Sequence, residues 1–228
     1  MVSLFFIFFS LSSYASTPFD FAHDRLCFKN ADPQMAEAAP WPWGPLAVKT
    51  GACQGIAGVT AAFSLNALFD ESLGEGDVRG IIKKLVQAHR KGKKLDSKVI
   101  VPGYKNLYDL CLAHKEEFLR ESVLYNRDIA IIEIAKHYPK LMSSKGKIST
   151  AKDLLHVKNT LNAFEQKLSQ GNLPLMLYFQ HVVMVYGLHK KDQETILTVY
   201  DSNKLVPREM VFHLDETDKL IWDVTPGK

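Results

Sequence analysis

The spacing of apolar residues changes at Gly171-Asn172, and a chain that reads helical before that point and extended after it has few ways to bury both patterns. Upstream, Ala52, Ile56, Val59, Phe63 and Ala67 recur at three- and four-residue steps. The same spacing relates Ile81, Ile82, Leu85 and Val86, and again Leu154, Leu155, Val157, Leu161 and Phe164. It predicts a helix from Ala52 onward and further helices over 77–90, 107–124, 129–141 and 150–169, with breaks at Gly74-Glu75-Gly76, Pro102-Gly103 and 143–146. Downstream the period drops to two and β-branched residues take over. Strands are predicted over 173–179, 181–189, 195–200, 209–214 and 220–224. A helical half followed by an antiparallel sheet is an α+β arrangement in which the two halves are expected to meet at a cleft.

The first nine residues are almost wholly apolar and run into Ser10-Leu11-Ser12-Ser13-Tyr14-Ala15, the pattern of an export leader over 1–15 with a small-residue boundary at Ala15. No Lys or Arg precedes the run, a departure from the usual leader, and the run is too short to span a bilayer. The expected location is therefore secreted or periplasmic, with a mature chain beginning near Ser16 and no membrane span after cleavage. Residues 16–228 are expected to form one domain: a wrapping segment over 16–49, a helical half over 50–172 and a β half over 173–228. The prolines Pro33, Pro40, Pro42 and Pro45 argue for irregular structure in the wrapping segment, with Trp41 and Trp43 as buried anchors. The net charge of +3 is dispersed, and its one dense run, Arg90-Lys91-Gly92-Lys93-Lys94, has no interleaved aromatics. That run reads as a solvated helix end, and no nucleic-acid partner is expected.

Cys53 carries the chemical interest. In Thr50-Gly51-Ala52-Cys53-Gln54-Gly55 it falls in the first turn of a predicted helix capped by Thr50 or Gly51, where unpaired N–H groups and the helix dipole favour an anion. A thiol attacks only as the thiolate, and a nearby imidazole is the usual second means of stabilising it. His181 opens the apolar strand His181-Val182-Val183-Met184-Val185-Tyr186-Gly187, and Asp201 closes the next strand in Tyr200-Asp201-Ser202-Asn203. If those strands are neighbours, Asp201 reaches the imidazole, and Asn203, two residues on, is the alternative orienting group. Gly55 and Gly58 weaken a helix and are expected where another backbone approaches closely. The odd count of three cysteines leaves two readings of the others: Cys27 and Cys111 pair and Cys53 stays free, or Cys111 is a buried residue among Leu107, Leu110 and Leu112.

At these residues the chain resembles the papain-like cysteine peptidase superfamily, in particular bacterial peptidases with a Gly-x-Cys-x-Gly helix start, a His-Val-Val-x-Val-Tyr-Gly strand and a Tyr-Asp-x-Asn strand end. The order is Cys, then His about 130 residues on, then Asp about 150 on. The resemblance covers 28–69 loosely and 174–203 well. It implies a papain-like α+β fold and an exported cysteine peptidase acting on peptide or isopeptide bonds of a peptide or protein substrate. In that reading Cys53 is the nucleophile, His181 the general base and acid, and Asp201 the residue that orients it. Papain-type enzymes place a Gln six residues before the Cys, where this chain has Ala47. The Cys53 N–H supplies one oxyanion donor. Gln34, Asn30 and Gln54 are the candidates for the second.

Two other classes stand beside this reading: a noncatalytic papain-like binding scaffold, with the missing Gln as its symptom, and an acyltransferase of transglutaminase type. His181, His189 and His213 form no close ligand motif, so neither a metal nor a cofactor is expected. His23, His89, His114, His137 and His156 are expected to face solvent.

Overall fold

A computed structural model describes residues 14–16, 19–74, 76–93, 95–128, 145–148, 151–178, 181–204, 206–214 and 220–226. The helices are α1 (Met35–Ala38), α2 (Trp43–Thr50), α3 (Cys53–Asn66), α4 (Val78–Arg90), α5 (Leu107–Ala113), α6 (Lys115–Asp128) and α7 (Ala151–Ser169). The strands are β1 (Tyr14–Ser16), β2 (Ala67–Asp70), β3 (Val99–Pro102), β4 (Lys145–Ile148), β5 (Leu175–Tyr178), β6 (His181–Lys191), β7 (Glu194–Tyr200), β8 (Arg208–Leu214) and β9 (Leu220–Pro226). The chain is mixed α and β, as its two periods require. The predicted helix over 129–141 lies outside the described residues. Among those described, no helix is long and apolar enough to cross a membrane.

One antiparallel sheet runs in the order β1-β6-β7-β8-β9-β4, and β5 also pairs with β6. β1 and β5 share an edge of β6, with Tyr14–Ser16 opposite Gly187–His189 and Leu175–Tyr178 opposite His181–Met184. A bulge between Val185 and Gly187 interrupts the β6–β7 register. Tyr14–Ser16 is thus a paired strand in the full chain, and a cut after Ala15 would leave only Ser16 of it.

The alternation along β6 feeds two cores. Val182 and Met184 pack with Ile56, Phe63, Phe118 and Tyr200 around α3, whereas Val183 and Val185 pack with Val157, Leu161, Phe164 and Leu168 of α7. Helices therefore cover both faces of the sheet. The helical half meets the sheet through α3, and the amphipathic α7 adds a third layer on the face that α3 leaves open.

α3 is the central helix, buried from Cys53 through Phe63. A Cβ on Gly55 would lie 1.8 Å from the Ser122 carbonyl oxygen and one on Gly58 2.3 Å from the Tyr125 ring, so these glycines do admit α6 at close range. The helix read over 107–124 is two helices broken at His114. A parallel pair, β2 with β3, lies apart from the main sheet.

The wrapping segment is more regular than its prolines suggested. Pro42 precedes α2 and Pro45 lies in its first turn, where a missing N–H costs nothing. Its anchors are Leu26, Phe28 and Met35, all buried, and not the tryptophans: Trp41 is 84% and Trp43 37% exposed. Phe19 packs on Tyr186 and Phe21 on Tyr200, and a Cys27–Cys111 disulfide with a Cα–Cα distance of 5.7 Å ties the segment to α5. His89 also departs from expectation. It is half-buried and hydrogen-bonds the Tyr125 hydroxyl at 3.0 Å, and burial pushes its pKa down to about 4. His114 is half-buried against the Tyr104 hydroxyl at 2.7 Å.

Candidate active site

Three elements converge on Cys53. α2 ends in Gly51, whose φ of 84° turns the chain into α3, and Ala52 takes the cap position without a side-chain cap of its own. The expected caps, Thr50 and Gly51, give way to a distant residue: the Ala52 N–H donates to Asn30 Oδ1 at 2.5 Å. Gly51 is needed here twice over, for its positive φ and because a Cβ would lie 2.5 Å from Asn30 Nδ2. The Asn30 N–H in turn donates to the Ser202 carbonyl at 2.9 Å. Asn30 therefore ties the start of α3 to the turn after β7.

The thiol of Cys53 is free and buried, and the Val182 N–H donates to its Sγ at 3.3 Å. His181 precedes Val182 at the start of β6. Because Met184 of β6 stands opposite Tyr200 of β7, Asp201, one residue past Tyr200, arrives beside the imidazole. His181 Nε2 and Asp201 Oδ1 are 2.7 Å apart. That pairing leaves Nδ1 as the nitrogen available to the thiol, with which His181 is in hydrogen-bonding reach.

The electrostatics follow from this crowding. Burial alone would raise the Cys53 pKa, but hydrogen bonding and charge attraction from His181, aided by the Val182 and Gln54 N–H groups, bring it below the usual thiol value. Burial alone would lower the His181 pKa; the bonds to Asp201 and Cys53 outweigh it and hold the ring up at about 9. For Asp201, burial works upward and is overcome by His181, the Asn203 N–H and Arg208, leaving the carboxyl below its usual value. A thiol pushed down beside an imidazole pushed up is the condition for a thiolate–imidazolium pair.

The other singled-out residues divide. Asn203 is exposed and serves Asp201 only through its N–H, which donates to Oδ1 at 2.9 Å. Asn30 is at the site. Gln54 is fully buried on the first turn of α3, with neither amide atom hydrogen-bonded among the described residues. Gln34 is exposed at the start of α1, beside Lys115 and Leu119. Cys27 and Cys111 are joined to each other. Sequence reasoning missed Arg208, whose Nη1 donates to Asp201 Oδ2 at 3.4 Å. Its only sequence signal is an Arg at the start of the strand that returns after the Asp201 turn. Among the described residues, no three His, Cys, Asp or Glu side chains gather as metal ligands.

Comparison of the chain with known protein families, curated proteins and solved structures finds no match.

Proposed function

We propose that this chain is an exported thiol hydrolase of papain-like arrangement that cleaves peptide or isopeptide bonds. The observation that carries the reading is the continuous row Cys53, His181, Asp201 at the mouth of a buried helix, with Nε2 to Oδ1 at 2.7 Å and Sγ held by the Val182 N–H. In the reaction the Cys53 thiolate attacks the carbonyl carbon and the carbonyl electron pair moves to oxygen. The imidazolium then gives its proton to the leaving amine as the C–N bond breaks, leaving a thioester on Cys53. Water attacks the thioester carbonyl as His181 takes its proton. That proton passes to the departing sulfur or is retained in the restored ion pair, and the acid is released.

The oxyanion is assigned to the Cys53 N–H together with Asn30 Nδ2. Asn30 Oδ1 is already engaged by Ala52, which makes the amide nitrogen the donor that side chain can offer beside the helix start. Export is supported by the apolar leader and by the Cys27–Cys111 disulfide, a bond of oxidising compartments.

The noncatalytic scaffold keeps two observations in its favour: Cys53 is only 5% exposed, and Ala47 stands where a donor Gln would be. A mixture of diverse peptides, analysed by mass spectrometry after incubation with the protein, separates the two. Cleavage that vanishes in Cys53→Ala, with a peptidyl acyloxymethyl ketone captured at Cys53, supports the hydrolase. Unchanged peptides and no capture favour the scaffold.

A further inference from the structure

The two oxygens of Asp201 keep different company. Oδ1 accepts from His181 Nε2 and the Asn203 N–H, whereas Oδ2 accepts from Arg208 Nη1 at 3.4 Å. Arg208 is the first residue of β8 and stands opposite Val199 of β7, so the hairpin brings the guanidinium back over the turn that carries the carboxylate. The two side chains are 20% and 6% exposed, well inside the solvent screening that makes surface pairs weak. When Cys53 is ionised and His181 protonated, charges alternate along the row as thiolate, imidazolium, carboxylate and guanidinium. The first three alone leave a net negative charge in a poorly solvated place; the fourth makes the row neutral.

We propose that Arg208 is a positioning residue of this row: acting through Asp201, it fixes the carboxylate with Oδ1 toward His181 and limits how tightly that carboxylate holds the imidazolium proton. The proposal rests on the catalytic reading of Cys53, His181 and Asp201. Its chemical sense is that the imidazolium must release a proton to the leaving amine, and a buried carboxylate with no countercharge makes it a weaker acid. Among the described residues, the charged or titratable groups that act on His181 are Cys53 from α3 and Asp201 from the turn after β7, with Arg208 of β8 behind Asp201. Tyr200, beside Asp201 on β7, stays neutral because burial pushes its phenol up to about 12.

Alkylation of Cys53 by iodoacetate tests it, because an anionic reagent is drawn in by the imidazolium and its rate falls as that proton is lost. Removing a nearby positive charge raises the pH at which neighbouring acids ionise, most for the nearest. Arg208→Gln should therefore move the alkaline limb of the rate profile upward by about 0.5 pH unit or more. Arg208→Lys, which keeps the charge, should leave the limb with the wild type. Arg208→Met makes the same charge deletion if the Gln variant melts early. A bell-shaped wild-type profile whose alkaline limb stays put in both charge-deleted variants overturns the proposal and leaves the triad standing, as does a Lys variant that shifts as far as Gln. A wild-type profile like that of a free thiol overturns the catalytic reading itself.

Discussion

Asp201 meets the imidazole, and Asn203 does not, because β7 ends at Tyr200 and the chain turns at once, carrying the Asn203 side chain out to solvent. An extended chain would set Asp201 and Asn203 on one side, and the turn at 202–203 separates them. A measurable ranking follows. Asp201→Asn removes the charge that stabilises the imidazolium and should lower kcat/KM on a peptide substrate by at least about tenfold, equivalent to about 1.4 kcal/mol of transition-state stabilisation. Asn203→Ala should cost much less, since its contact with Asp201 is made by the backbone N–H. The reverse order, in folded variants, would contradict the assignment. Cys53, His181 and Asp201 were legible in the sequence because each sits at an element boundary marked by a change of period. Arg208 was not, since an Arg opening a strand is unremarkable until the hairpin folds it back onto Asp201.

At the scale of elements, α3 shows which sequence signals survive folding. Its glycines foretold a close neighbour, and α6 is that neighbour. In an exposed helix, Gly→Ala stabilises by about 1 kcal/mol. Gly55→Ala should instead destabilise the protein by about 1–3 kcal/mol in urea titration, because the new Cβ meets the Ser122 backbone carbonyl and one helix must shift. A stabilised Gly55→Ala variant would mean that α6 packs elsewhere. Where sequence reading fell short, the causes were tertiary. α2 forms despite Pro42 and Pro45 because both fall where an amide hydrogen has no helical partner. The side chain that holds the start of α3 is Asn30, which accepts from the Ala52 N–H and lies too far along the chain for any local capping rule to find.

At the scale of the whole molecule, the α+β class was readable from the two periods, but the layering was not. Periodicity says that α7 has an apolar face and cannot say which side of the sheet receives it; the residues of β6 decide that by being apolar in both directions. Cysteine count likewise allowed the disulfide without fixing it. The Cys27–Cys111 bond closes a span of 84 residues, and converting both to Ala should cost about 2–4 kcal/mol in denaturant unfolding. A loss below about 0.5 kcal/mol would show that the wrapping segment is held by Leu26, Phe28 and the aromatic contacts alone.

The row from Cys53 to Asp201 is the centre of this account, and the pH dependence of iodoacetate alkylation at Cys53, mapped by mass spectrometry, tests it most directly. The wild type should react in a bell-shaped profile. Its acid limb should lie below the usual thiol value because the thiolate forms beside a charged ring, and its alkaline limb near about 9, where His181 gives up its proton. His181→Ala should abolish the bell and leave one rise near about pH 8.5 or above. A wild-type profile with that same single rise, unchanged by His181→Ala, would contradict the account.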